Sequence, residues 1–396
     1  MKVLLLTQVL PYPPDSGPKV KTFYVLKYLA RHHDVTLVSF VRGDQSDHIR
    51  VLESYCRSIY TLPMNRSVFQ NIAALFKSLA GNIPWMMARD DVKEMRQLVD
   101  RLAAQEEFEV VHADQINMAQ YAQRVPKARR VLDAHNALWV LYRRLAQTMS
   151  FGVRRWLLER DWRLLKKYEG SICREFDQVL TVSEEDKTSL EEAMESSKRE
   201  IHVIPIAVDT DEQQPVQRDK DADHIIHIGT MYWPPNIDGM MWFLENVFPL
   251  ISAKRPETIC DIIGARPPQE LVDYGKSHPG VNVIGYVVDP TPYLQQAALM
   301  IVPLRAGGGM RVKILNALAQ GLPVVSTALG CEGIQVEHGR HLLIADTPEE
   351  FAEATLKLFD DPELALRLGE NGRRLIQEKY DYRTACAPLE RVYSAK

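Results

Sequence analysis

The stretch that most limits what this chain can fold into runs from Ala298 to Thr327. It reads as an apolar run at 299–304, a triple-glycine turn at 307–309, a helical segment and a second apolar run at 323–327. Short apolar runs flanked by Gly and Pro fit parallel strands covered on both faces. Between them a loop almost without side chains leads straight into a helix N-terminus. The free backbone N–H groups there and the positive end of the helix dipole suit a phosphate or diphosphate. Arg311 and Lys313 fall in the first turn, where the dipole disfavours cations, and a bound anion would resolve that conflict. Taken alone, the glycines fit a plain tight turn equally well. Their spacing matches neither the dinucleotide fingerprint nor the P-loop.

A chain of 396 residues with 46% hydrophobic and 25% charged residues is expected to be soluble, with two or three domains. The net charge of −4 gives no pull toward nucleic acid. Five cysteines without metal-ligand spacing suit a reducing compartment. The first apolar run, 3–6, is too short for a signal-peptide core, and no run approaches the ~20 residues of a membrane span. A cytoplasmic protein is expected, peripheral at most on the inner face of the plasma membrane.

In chain order, strand 2–8, a proline-rich loop delivering Gly17, a helix and strand 34–40 open a doubly wound α/β unit. Ligands gather outside the carboxyl ends of such strands. Val68, Ile72, Leu75, Phe76 and Leu79 recur at helical spacing, and core packing is expected, with a lipid- or acceptor-facing surface as the alternative. Strand 130–133 ends in Asp-Ala-His-Asn, which makes His135 a candidate sugar ligand or base as well as a structural histidine.

Between Tyr121 and Glu175 stand 13 Lys and Arg against 5 Asp and Glu, with Trp139, Trp156 and Trp162 interleaved. Contact of 140–167 with an anionic membrane is one use of such a segment, and a solvated helix face is the other. A nucleic-acid surface is not expected, since no recognised module accompanies the charges. Residues 208–223 read as a linker, and Asp209 and Asp211 within it as solvated acids rather than a metal site. A second unit of alternating strands and helices begins at 224–229 with Gly229 at its strand end. The expected division is 1–208, with 380–396 packing back on it, and 209–379.

Several stretches together carry a family likeness: Pro11-Tyr-Pro-Pro-Asp-Ser-Gly17, Leu180-Thr-Val-Ser-Glu184, Val203-Ile-Pro-Ile-Ala-Val-Asp209, Gly229-Thr-Met-Tyr-Trp-Pro-Pro-Asn236, Gly307-Gly-Gly-Met-Arg-Val-Lys313, Gly321-Leu-Pro-Val-Val325 and Glu332-Gly-Ile334. The chain resembles retaining nucleotide-sugar glycosyltransferases of family four, with the GT-B fold of two facing Rossmann-like domains. It is most similar to the branch that builds bacterial exopolysaccharide and other surface glycans. The resemblance implies a UDP- or GDP-sugar donor held by the second domain and a lipid-linked or polysaccharide acceptor on the first. Catalysis would lie in the cleft between them, with no metal, no cofactor and no agreed covalent nucleophile.

Carried over residue by residue, the likeness puts Arg311, Lys313 and the amides of Gly308, Gly309 and Met310 around the diphosphate. It puts Gly17 near the donor phosphate and sugar, His135 on the donor sugar and Gly229 at the nucleotide site. Many relatives carry two glutamates eight positions apart, where this chain has Gly308 and Asn316. Asn316 would meet the ribose without charge assistance. A nucleotide-sugar epimerase or hydrolase on the same fold, or a non-catalytic partner subunit, are the alternatives.

Overall fold

The apolar runs become strands of two parallel sheets in a computed structural model, which describes residues 1–64, 66–195, 199–219 and 222–394. Lys220 and Asp221 of the expected linker lie outside the described residues, as do Ala395 and Lys396 of the expected terminal helix. The chain divides into two compact units, Met1–Ala207 with Ala385–Lys396, and Val208–Thr384. This is the α/β, doubly wound architecture expected of the chain.

The first unit contains β1 (Lys2–Thr7), β2 (Asp34–Val41), β3 (Ser58–Pro63), β4 (Val110–Asp114), β5 (Arg129–Asp133), β6 (Gln178–Thr181) and β7 (Ile201–Val203). Their order in the sheet is β3-β2-β1-β4-β5-β6-β7, so the winding reverses between β1 and β4. Leu5 of β1 stands opposite Leu37 of β2 on one side and His112 of β4 on the other. Helices cover both faces, which is why β1 and β4 carry unbroken buried runs instead of alternating ones. The helix Leu389–Ser394 belongs to this unit: Tyr393 meets His112 Nδ1 through its hydroxyl at 2.7 Å, and Arg129 donates to its carbonyl at 2.6 Å.

The second unit contains β8 (His224–Ile228), β9 (Ile259–Ile263), β10 (Val281–Gly285), β11 (Ala297–Val302), β12 (Val324–Ser326) and β13 (Leu343–Ile344). Their order is β10-β9-β8-β11-β12-β13, and here the winding reverses between β8 and β11. The loops leaving those two strands therefore meet at the carboxyl edge of the sheet, the position at which such folds hold ligands.

The turn after β8 is held against β9 by an unusually close backbone contact. A Cβ built on Gly264 would fall onto the carbonyl of Gly229, 2.8 Å from its carbon and 3.1 Å from Met231 Cγ. Gly264→Ala is expected to cost roughly 1–3 kcal/mol or more, because backbone has to give way. A lower denaturant midpoint at unchanged slope would register this, and an unchanged midpoint would refute it.

Two expectations fail in the fold. Asp209 is buried, not solvated, and accepts from the Asp211 amide at 2.9 Å, while Asp211 pairs with Arg383 at 2.6 Å. Together with Asp381, which accepts from Thr210, they tie the start of the second unit to its last helical turn. The apolar stripe of the helix Val68–Gly81 is not core: Val68, Ile72, Phe76 and Leu79 are exposed, as is Phe69 at 84%, and Leu75 is only half-buried. The face it buries is made of Ala74 and Ser78 instead.

Candidate functional site

At the reversal point of the second unit, the glycine turn leads into the helix Val312–Ala319 with Arg311 at its N-cap. Gly307 and Gly309 take left-handed φ of 107° and 81°, conformations that side chains with a Cβ rarely adopt. Arg311 folds back over the turn, donating from Nη1 to the carbonyls of Gly308 and, at 2.7 Å, Gly309. Met310 is buried beneath it. The guanidinium is thus fixed above the helix start, where the first N–H groups have no intrahelical partner.

Lys313 turns toward β8. Its Nζ donates to Asn236 Oδ1 at 3.0 Å and lies 3.3 Å from His227 Nε2. His227 Nδ1 sits 2.9 Å from the Ile301 carbonyl, which can only accept, so Nδ1 carries the proton and Nε2 is the acceptor for Lys313. Burial, then the nearby Lys313 charge, drives the His227 pKa well down, and the ring is neutral. Asn236 is oriented in turn by donating to the Thr230 carbonyl at 2.9 Å.

Gly229 closes this arrangement. A Cβ there would stand 2.5 Å from Lys313 Nζ and 3.0 Å from His227 Nε2, so the ammonium occupies the space that a side chain would take. Part of the Lys313 stem is still solvent-facing, yet its charged end is enclosed. Burial first, and then the Arg311 charge, bring its pKa down from 10.5 to about 7. Two cations and a helix N-terminus thus converge on one place, an arrangement that favours a multiply charged anion. Asn316, one turn further on, is half-buried on the same helix.

A second constellation sits in the first unit, also at its reversal point. Gly17 starts the helix Gly17–Leu29, with no atom within 4 Å of where its Cβ would be. One turn on, Thr22 Oγ1 lies 2.9 Å from Asp114 Oδ1 at the end of β4. The same oxygen meets His135 Nε2 at 2.9 Å, just beyond β5. His135 is buried and has φ 60°, a left-handed conformation uncommon for a non-glycine residue. Burial alone would press its pKa down, but the Asp114 carboxylate and then Asp133 outweigh this and raise it. Lys21 lies 3.2 Å from Asp133 and donates to the Ile204 carbonyl at 2.8 Å, completing a buried charged network.

The structure therefore joins Arg311, Lys313, Gly229, Gly308, Gly309 and Met310 in one unit, and Gly17 and His135 in the other. Sequence reading missed His227, Asn236, Asp114 and Lys21. His227 did carry a signal, as a histidine between Ile226 and Ile228 within a buried strand. Among the described residues, no group of three or more His, Cys, Asp or Glu side chains could hold a metal ion.

Two family models match the chain: Glycosyltransferase Family 4 over residues 17–212, and Glycosyl transferases group 1 over residues 222–361. The chain belongs to glycosyltransferase family 4. This glycosyltransferase is 23% identical over 398 residues to an uncharacterized 44.6 kDa protein in the cps region of Klebsiella pneumoniae, covering 96% of each. It is 25% identical over 247 residues to the MMP alpha-(1->4)-mannosyltransferase of Mycolicibacterium hassiacum, covering 60% of this chain and 58% of the relative. Among solved structures, HepE of Anabaena in complex with UDP is 14% identical with a TM-score of 0.70, each chain covering 100% of the other. The fold of the glycosyltransferase is thus that of the GT-B enzymes.

Proposed function

We propose that the protein is a retaining, metal-independent glycosyltransferase that moves a sugar from a UDP- or GDP-sugar to a lipid-linked or polysaccharide acceptor in bacterial surface glycan synthesis. The observation that carries the reading is the enclosed Lys313 ammonium, held beside Arg311 by His227 and Asn236 with no acidic partner among these contacts. A nucleoside diphosphate supplies the missing charge. HepE, whose structure contains UDP, and the cps-region relative point the same way.

In the proposed reaction the bond between the anomeric carbon and the diphosphate oxygen breaks. The acceptor hydroxyl oxygen bonds to that carbon and its proton is released. Arg311, Lys313 and the amides at 308–310 stabilise the negative charge growing on the leaving diphosphate, a role for which preorganised cations and dipoles are suited. Asn316 contacts the ribose. Gly17 lets the donor approach the first helix, and His135, oriented by Asp114, hydrogen-bonds the donor sugar. On the same reading the basic segment 140–167 rests on an anionic membrane. Among the described residues no helix is long and apolar enough to cross one.

A thermal-shift panel of UDP, GDP, ADP, CMP and their sugars, with and without Mg²⁺, tests the donor assignment. A ligand at about 100 times its Kd adds roughly 2.7 kcal/mol of stability. Stabilisation by UDP or GDP alone, equal with and without Mg²⁺, is the expected result. No shift with any nucleotide would overturn the reading in favour of a non-catalytic subunit.

A further inference from the structure

The helix Val68–Gly81 is amphipathic in the inverse sense for a soluble protein. It buries Ala74 and Ser78 and turns Val68, Phe69, Ile72, Phe76 and Leu79 to solvent, all within one ~100° arc of the helix. A helix that faces water with its large side chains and the protein with its small ones lacks its partner surface. It is nevertheless firmly mounted. Ser67 and Gln70 form a capping box at its start, and Arg160 donates to Ser78 Oγ and its carbonyl at 3.1 and 2.7 Å.

Arg160 lies in the helix Val153–Glu175, and Trp156, one turn earlier on the same side, is 59% exposed. Phe151 and Val153, just before, are 92% and 75% exposed. The helix Val153–Glu175 and the helix before it, Leu138–Thr148, also carry exposed Arg143, Arg144, Arg154, Arg163 and Lys167. From 138 to 167 the chain has 8 Lys and Arg against Glu159 and Asp161 alone; Glu159 pairs with Arg163, and Asp161 is buried. The helix Val68–Gly81 thus supplies an exposed apolar stripe, and the helix that Arg160 ties to it supplies exposed cations.

We infer that the helix Val68–Gly81 is a membrane-inserting wedge that seats this protein on an anionic bilayer, with Phe69 and Phe76 below the headgroups and the arginines of 143–163 among them. Charge complementarity selects the occupant: exposed cations together with exposed aromatic and aliphatic side chains match acidic headgroups above acyl chains. The inference rests on the membrane contact proposed for 140–167 and adds the element that enters the lipid.

The full chain and its Phe69→Ser/Phe76→Ser variant are to be floated with phosphatidylcholine–phosphatidylglycerol vesicles and with pure phosphatidylcholine. Both substituted rings are exposed, so the variant should keep its far-UV circular dichroism and its donor-induced thermal shift. Binding of the wild type to the anionic vesicles, weakened on the order of tenfold to hundredfold in the variant, is the expected result. Equal binding of the two proteins overturns the wedge while leaving the basic segment as the contact. No binding of the wild type to either vesicle overturns both. Self-association of the wild type that the variant abolishes, seen in sedimentation velocity, would assign the face to a second copy of this chain and overturn the wedge. A donor shift retained in any of these cases leaves the proposed glycosyl transfer intact.

Discussion

Replacing Arg311 and Lys313 together with alanine will weaken UDP or GDP binding by roughly two to four orders of magnitude without unfolding the protein. Each charged hydrogen bond to a phosphate is worth roughly 1.5–3 kcal/mol, and the pair removes both cations. The stability of the empty protein should stay level or rise. Lys313 is a mostly enclosed ammonium pressed down in pKa by burial and by Arg311, so its removal relieves a cost that only the ligand offsets. A cation that destabilises the apo state and binds an anion is the usual trade between stability and function. Calorimetry of UDP and GDP binding with the variant, alongside its thermal midpoint, checks both halves. Unchanged affinity would remove the diphosphate assignment. Lost affinity with a large drop in midpoint would make these residues structural.

How much of this was readable in advance follows from the range of each interaction. Strands β1, β8 and β11 and the glycine turn are local patterns of apolar runs and punctuation, and the chain displays them directly. Arg311 and Lys313 stood out because the first turn of a helix disfavours cations. The partners of Lys313 did not, since His227 and Asn236 lie 86 and 77 residues from it. Only the reversal of strand order between β8 and β11 brings them together. The same holds for Asp114 and His135, which meet across the ends of β4 and β5.

The helix Val68–Gly81 failed for a different reason. Helical spacing of apolar residues establishes that a stripe exists, but it is identical whether the stripe faces the core or the outside. Conversely, of the three tryptophans in the basic segment, Trp139 is buried under Lys166 at 4.6 Å and Trp162 packs on the core between Arg143 and Arg163. Cations interleaved with tryptophan thus serve the fold through cation–π contacts at two positions. Only Trp156 is left exposed.

The affinity for a nucleoside diphosphate should fall as pH rises through about 7, by roughly tenfold per pH unit up to about pH 9. In the empty protein the Lys313 pKa stands at about 7. A diphosphate beside it restores the charged form, so above pH 7 binding must take up a proton, and the affinity carries that cost. The phosphate itself does not confound the range, since its last pKa is near 6.

The linkage has the opposite sign for the stability of the free protein. The folded-state pKa lies below the unfolded value of 10.5, so between about 7 and 10.5 the unfolded chain binds more protons. The contribution of Lys313 to stability is fully present above 10.5 and is lost as pH falls through about 7. Calorimetry at pH 8 in two buffers of different ionisation enthalpy measures the uptake directly, and about one proton per bound nucleotide is expected. Lys313→Gln should bind more weakly, with a flat profile over the same range. A flat profile in the wild type would mean that Lys313 stays charged when the site is empty, and its enclosure by His227, Asn236 and Gly229 would then serve only to place it.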